Sequence, residues 1–248
     1  MKTSENTVLI TGGATGIGFA LASSFSSQGN EVIICGRREE KLREAKEKLP
    51  GISIRKCDIS HQADIESLFD WVSSNFPRIN VLVNNAGIQR AIDLRKGMED
   101  LIKNEDEIMI NLKAQIYLAA CFVPVFSKKQ SESAIINVSS GLAFVPLARF
   151  PIYCATKAAI HSFTVSLRHQ LKETPIRVFE VIPPTVYDTE LKGKPLQKSD
   201  WTVSSNEVAD AVMKGLENND YEISIGAAKN WLMGSKSDLE TAFNNMNR

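Results

Sequence analysis

The stretch from Thr11 to Gly18, TGGATGIG, constrains the fold of this chain more than any other. It follows a short apolar run, Thr7 to Ile10, that reads as a buried strand, and it opens a helix expected from about Ile17 to Gln28. Glycines at 12, 16 and 18 permit a tight turn, and they let backbone N–H groups at the positive end of the helix approach a pyrophosphate. Strand, glycine turn and helix in that order are the first half of a βαβ unit, which favours a parallel sheet.

The rest of the chain keeps the alternation. Strands are expected at Glu31–Cys35, Ile52–Cys57, Val81–Val83, Ala134–Val138, Ile176–Ile182 and Glu222–Ile225. Helices are expected between them, at about Arg38–Leu49, His61–Asn75 and Glu105–Ser127, in a long segment through Tyr153 and Leu167, and from an Asn206 cap to Asn218. A short helix at Ser237–Asn245 ends the pattern. The fold class is therefore α/β: one doubly wound, mostly parallel seven-stranded sheet with helices on both faces. Without repeats or a Gly/Pro/Ser-rich linker, residues 1–248 read as a single domain. Residues 88–104 read as irregular, and the polar stretch at about 185–205 has the length of a loop that covers a substrate.

Charge and cysteine content exclude several classes. Lys plus Arg and Asp plus Glu both total 29, so there is no electrostatic footprint for nucleic acid. The four cysteines form no C-x-x-C pair, which argues against a disulfide frame or a zinc site, and no metal is expected. The N-terminus lacks the layout of a secretory signal, and the apolar run Ile116–Phe126 is short and contains Pro124. A cytoplasmic protein with no membrane insertion is expected.

Two further stretches carry chemistry. The strand Ala134–Val138 ends in Ser139, Ser140 and Gly141, and Tyr153 and Lys157 follow four residues apart, on one face of a helix. A cation beside a phenol favours the phenolate, giving Tyr153 a use as proton donor and acceptor, while a serine hydroxyl holds a substrate oxygen. Such a trio suits interconversion of an alcohol and a carbonyl; the bland alternative is a half-buried aromatic and a solvated lysine. Arg37 and, second, Arg38 stand after the second strand, where an arginine pairs with a ribose 2′-phosphate and an acid would accept from a 2′-OH. That favours NADP(H) over NAD(H), against the simpler reading of a solvated helix start. Asp58 suits either an adenine amine or a helix cap. Asn111, inside an apolar helical stripe, either satisfies local backbone groups or holds a water behind Lys157.

TGGATGIG at 11–18, CDI at 57–59, NNAG at 84–87, Asn111, NVSS at 137–140 and YCATK at 153–157 together resemble the short-chain dehydrogenase/reductase family along nearly the whole chain. IQR after NNAG, NVSSGLAF and Pro183-Pro184 are most similar to its branch of DltE-type oxidoreductases of Gram-positive bacteria. The resemblance implies a Rossmann fold and a hydride transfer between a nicotinamide and a small carbonyl or alcohol. It implies Tyr153 as acid/base, Lys157 lowering its pKa and binding the nicotinamide ribose, Asn111 supporting a relay water, and Ser140, thirteen residues before the tyrosine, as the serine, with Ser139 beside it. It also implies a cofactor held by Gly12, Thr15, Gly16, Ile17, Gly18, Arg37, Arg38, Asp58, Ile59, Asn85, Ala86, Gly87, Tyr153, Lys157, Pro183 and Val186. Pro184 stands where the family has glycine and Thr189 falls one place late, so the nicotinamide amide contact goes to Thr185, the backbone of Val186, or Thr189. A homodimer or homotetramer is implied, with Leu118, Phe122 and Phe163 as interface or core residues. Phe144, Val145, Leu147 and Phe150 suggest a partly apolar substrate pocket, and Arg90, Arg149 and Lys192 suggest contacts to an anion. The competing class is a cofactor-binding regulator or scaffold without turnover; a sugar epimerase or dehydratase would need a larger C-terminal domain.

Overall fold

The computed structural model describes residues 1–102, 106–189, 191 and 196–247. Seven strands form its main sheet: β1 (Thr7–Thr11), β2 (Glu31–Gly36), β3 (Ser53–Lys56), β4 (Ile79–Asn84), β5 (Ser133–Val138), β6 (Ile176–Ile182) and, after a small two-stranded pair β7 (Thr185–Val186) and β8 (Thr202–Val203), β9 (Glu222–Ser224). Their order is β3-β2-β1-β4-β5-β6-β9, and every neighbouring pair is parallel. Every residue of β1 and of β5 is buried, as expected for strands covered on both faces.

Alternation along the strands sorts side chains into two cores. Val8, Ile10, Val32 and Ile34 meet α1 (Gly16–Ser27), α2 (Glu39–Lys48) and, with Phe179 and Val181, α7 (Ser205–Asn218). Leu9, Ile33, Leu82, Ile135 and Val178 meet α3 (Gln62–Asn75), α5 (Ala114–Ser127) and the C-terminal half of α6 (Pro151–Gln170). The strand order reverses between β1 and β4, and the carboxyl ends of these two strands open the crevice in which open α/β sheets bind ligands.

The expected helix at 105–127 is corrected in one respect. Met109–Lys113 is a π turn that runs into α5, so one turn carries an extra residue around Asn111. Glu105, the expected first residue, lies outside the described residues. By length and composition Met109–Ser127 is apolar enough to cross a membrane. Within this fold, however, Ala114, Leu118, Ala119, Phe122 and Phe126 are buried, and Phe122 meets Phe69 of α3 edge-on at 5.2 Å. Leu118 and Phe122 are therefore core residues of their own chain, not interface residues.

Of the stretch expected to be irregular, residues 88–102 contain a 3-10 turn at Leu94–Lys96 and a short helix α4 (Met98–Ile102), and 103 and 104 lie outside the described residues. The α7 cap is Ser204 in place of Asn206: its hydroxyl accepts from the Glu207 N–H while the Glu207 carboxylate accepts from the Ser204 N–H. Beyond β9 the chain makes two helices, α8 (Ala228–Ser237) and α9 (Leu239–Met246), where one was expected; Asp238 ends the first and caps the second.

Candidate functional site

A cleft of ≈ 450 Å³ lies along the carboxyl ends of the strands, from the end of β2 to the N-terminal turns of α6. The glycine turn forms its floor. Gly12 and Gly16 adopt φ of +64° and +54°, which side chains resist. A Cβ at Gly12 would meet Ala86 Cα at 3.0 Å, and one at Gly16 would meet Thr189 Cγ2 at 2.9 Å. Thr15, Gly16 and Ile17 line the cleft where α1 begins, so the helix N-terminus and its free N–H groups open onto the cleft, an arrangement that suits a phosphate. Gly18 lies below that wall: a Cβ there would sit 2.3 Å from the Gly12 carbonyl oxygen, so its lack of a side chain closes the turn. Asn85 locks the turn from β4, donating from Nδ2 to the carbonyls of Thr11 at 2.9 Å and Gly12 at 3.3 Å. These residues fit a dinucleotide pyrophosphate.

Arg37 and Arg38 line the cleft beyond β2 together with Lys41, which the sequence did not single out. Asp58 and Ile59 line the same end. Asp58 Oδ1 accepts from both the N–H and the hydroxyl of Ser60, so it closes a local turn and does not cap α3, whose N-cap is His61. Its carboxyl is partly desolvated, but these Ser60 hydrogen bonds and the nearby His61 and Arg37 hold it below the usual carboxylate value.

At the other end Ser140, Tyr153 and Lys157 line the cleft with Val138, Leu142 and Pro183. Ser140 projects from the end of β5, and its hydroxyl accepts from the Leu142 N–H at 3.1 Å on the same stretch of cleft wall as the Tyr153 phenol. Tyr153 is buried, and burial pushes its phenol well above the ordinary value; the Ser140 hydroxyl opposes this, while Cys154 and Glu107 add to it. Lys157, 3% exposed, donates from Nζ to the Val138 carbonyl at 2.8 Å and lies 5.7 Å from the Tyr153 ring centroid. Desolvation brings Lys157 down to about 8, against an opposing pull from Glu180. The expected lowering of the tyrosine by the lysine is absent from this geometry, because the ammonium points at a carbonyl and the phenol is desolvated. The phenol is held as a proton donor.

Asn111 is fully buried and does not reach the cleft wall; Ile110 does. Its Oδ1 accepts from the Ile88 N–H at 2.8 Å, and its Nδ2 donates to the Ile88 carbonyl at 2.8 Å and to Thr156 Oγ1 at 3.2 Å. The π turn thus aims one amide at both the segment after β4 and the helix that carries Tyr153. Gly87 leaves room for this, since a Cβ there would be 3.2 Å from Asn111 Oδ1 and 3.6 Å from Lys157 Nζ.

The substrate end differs from the sequence expectation. Val145 and Phe150 are buried, Phe150 with Leu142, Leu147, Tyr153, Cys154 and Met246, and Phe144 meets His161 edge-on, so these apolar residues support the cleft more than they line it. Arg90 pairs with the buried Glu107 at 3.7 Å, and Arg149 lies 5.7 Å from the Phe150 ring. Lys192 lies outside the described residues. Val186, Thr185, Thr189, Leu191 and Leu196 all line the cleft, and the Thr189 hydroxyl donates to the Val186 carbonyl. Gln89, inside the IQR motif, and Ser139, beside Ser140 in NVSS, also line it, although the sequence assigned neither a cofactor or catalytic contact. Among the described residues no group of His, Cys, Asp and Glu could hold a metal.

The family profile described as short chain dehydrogenase matches residues 6–200. The chain is 46% identical over 250 residues to the uncharacterized oxidoreductase DltE of Bacillus subtilis, covering 100% of this chain and 98% of the relative. It is 32% identical over 189 residues to the NADP-dependent 3-hydroxy acid dehydrogenase YdfG of Escherichia coli K12, covering 75% of each. A short chain dehydrogenase from Burkholderia cenocepacia, solved in complex with NADP, superposes with a TM-score of 0.82 at 25% identity over 99% of both chains. One from Burkholderia phymatum, solved with NAD, superposes with a TM-score of 0.83 at 19% identity, covering 100% of this chain and 97% of that one, a likeness of fold alone.

Proposed function

From the premise that the chain belongs to the short-chain dehydrogenase family and is a nicotinamide-dependent oxidoreductase, we propose that it reduces a small carbonyl compound, or oxidises the matching alcohol, with NADP(H). The observation that carries this is that Ser140, Tyr153 and Lys157, the last two one helical turn apart, line the same cleft as the glycine turn. When bound, the nicotinamide supplies or accepts the hydride at the carbonyl carbon. Ser140 holds the substrate oxygen by a hydrogen bond, and Tyr153, protonated in its desolvated setting, donates the proton to that oxygen in the reducing direction. Lys157 presents a positive charge beside the phenol as it loses that proton, and orients the ribose. Asn111 holds Ile88 and Thr156 in register so that the cofactor wall and the tyrosine helix keep their spacing.

NADP(H) is supported by Arg37 and Arg38 at the end of β2, by the printed cofactor of the Escherichia coli relative and by the NADP-bound Burkholderia cenocepacia structure. Fluorescence titration should give tighter binding of NADPH than of NADH. Replacing Arg37 with Ala should weaken NADPH roughly 10-fold or more, the loss of a charge-assisted hydrogen bond, and leave NADH nearly unchanged. Tighter NADH binding by the wild type would end the assignment. Turnover is tested by following NADPH consumption over a panel of ketones, aldehydes and 3-oxo acids.

In the same reading the chain works in the cytoplasm as a homodimer or homotetramer. The outward face of α6, where Val165 is 42% exposed, supports the assembly, and sedimentation equilibrium should return two or four copies; a monomer would remove that part.

A further inference from the structure

Beneath α6 the sheet is polar where apolar side chains would be ordinary. Ser139, Glu180 and His161 are joined there on one carboxylate. The Ser139 hydroxyl donates to Glu180 Oε1 at 2.5 Å, and His161 Nδ1 donates to Glu180 Oε2 at 2.8 Å. Glu180 is 0% exposed, Ser139 1%, and the His161 side chain 32%. A carboxylate buried this deeply is costly unless both oxygens are paired, and here each has its own donor. The placement is specific. Glu180 lies on β6 beside β5, whose end presents Ser139 and then Ser140, while Tyr153, Lys157 and His161 follow one another at i, i+4 and i+8 on one face of α6. Glu180 therefore touches the strand end that carries the serine and the helix that carries the tyrosine and lysine.

The structure assigns to Glu180, clamped by Ser139 and His161, the role of positioning residue and counter-charge for Lys157: its buried carboxylate keeps that ammonium charged beside Tyr153. This rests on the reductase reading for its kinetic consequence but not for its electrostatic one. Among the described residues Lys157 hydrogen-bonds only a neutral carbonyl, so it needs an anion in the low-dielectric interior to remain an ammonium above neutrality. Glu180 is the group acting on it in that direction. The other charged groups facing this cluster are Glu222, the register neighbour of Glu180 on β9, Arg168, two turns further along α6, and Glu107, which acts on Tyr153 from the segment before the π turn. The clamp has its own pH sign. Its hydrogen bond to Glu180 raises His161 above the ordinary histidine value, so the protonated clamp is complete at low pH and loses its charge as the pH rises through that raised value.

Glu180→Gln tests this, since it keeps the shape but removes the charge: the amide oxygen can accept from His161 while the amide Nε2 donates to Ser139 Oγ, whose own proton turns to the Val181 carbonyl. In the full-length protein labelled at lysine 13Cε, the Lys157 resonance is identified by its loss in Lys157→Arg and titrated by NMR. The Lys157 midpoint should move to lower pH by roughly half a unit or more in Glu180→Gln, and Glu180→Asp, which restores the charge, should return it toward the wild-type value. The alkaline limb of kcat/KM for NADPH-dependent carbonyl reduction should move down with it. An unchanged midpoint in folded Glu180→Gln overturns the role, and so does a rate loss uniform across pH. Should Glu180→Gln fail to fold, His161→Arg decides: a permanent cation at that solvent-facing position draws on the carboxylate and should lower the Lys157 midpoint, and an unchanged midpoint there overturns the role equally. If no carbonyl in the panel is reduced, the reductase reading falls while the NMR midpoint still decides the counter-charge.

Discussion

Tyr153→Phe is expected to lower carbonyl reduction by roughly 10³-fold while NADPH binds with nearly unchanged affinity, measured by initial rates and fluorescence titration on the same preparation. The substitution removes only the hydroxyl and keeps the ring packed in the buried cluster of Leu142, Phe150 and Cys154, so the fold and the glycine turn keep their geometry. What disappears is the one phenol that lines the cleft with Ser140 and is held protonated by its desolvated surroundings. Wild-type rates in this variant across the whole panel would mean that the proton comes from elsewhere. Retained NADPH binding without turnover in the wild type would instead favour a regulator or scaffold.

Lys157→Met is expected to abolish turnover, by at least roughly 10²-fold, and to weaken NADPH binding, yet not to destabilise the protein at neutral pH. Lys157 titrates at about 8 in the folded chain against 10.5 for an ordinary lysine, because burial disfavours its charge. The folded state thus binds fewer protons than the unfolded state between those values, and stability gained from this group rises with pH across that window. Below pH 8 the wild type carries the whole cost of the buried ammonium, on the order of 3 kcal/mol. Methionine fills similar volume without that cost, although it leaves the Val138 carbonyl short of its donor. Urea unfolding at pH 7 and pH 10 should therefore show a variant that compares best with the wild type at the lower pH and loses ground as the pH rises. A variant that gains ground from pH 7 to pH 10 would show that Lys157 is not desolvated in the way the geometry requires. Loss of function with retained or improved stability is the pattern of a group kept for chemistry.

The strands and their order of burial were legible because β-branched runs such as Val8–Ile10 and Ile135–Ile136 carry a local signal that tertiary packing only completes. The TGGATGIG turn was legible for the same reason: a φ of +64° at Gly12 is a demand of one residue on its own backbone. So was the Tyr153–Lys157 pair, since spacing on a helix fixes which side chains are neighbours. The Ser204 capping box was also written locally, as S-x-x-E, and lies two residues before the expected cap. The π turn at Asn111 was not legible. Periodicity reads an extra residue in one turn as continuing helix, and only contacts with Ile88 and Thr156 select it.

What the sequence determined by itself is the set of chemistries available: a glycine turn for a pyrophosphate, arginines for a phosphate, and a phenol, an amine and a hydroxyl at the ends of neighbouring elements. The tertiary structure decided the electrical condition of those groups. Desolvation raises the Tyr153 phenol and lowers Lys157, and the carboxyl group of Glu180 is buried with Ser139 and His161 as its partners. None of this follows from spacing, because Glu180 is 19 residues from His161 and 41 from Ser139 along the chain, and a pKa depends on what surrounds a group in space.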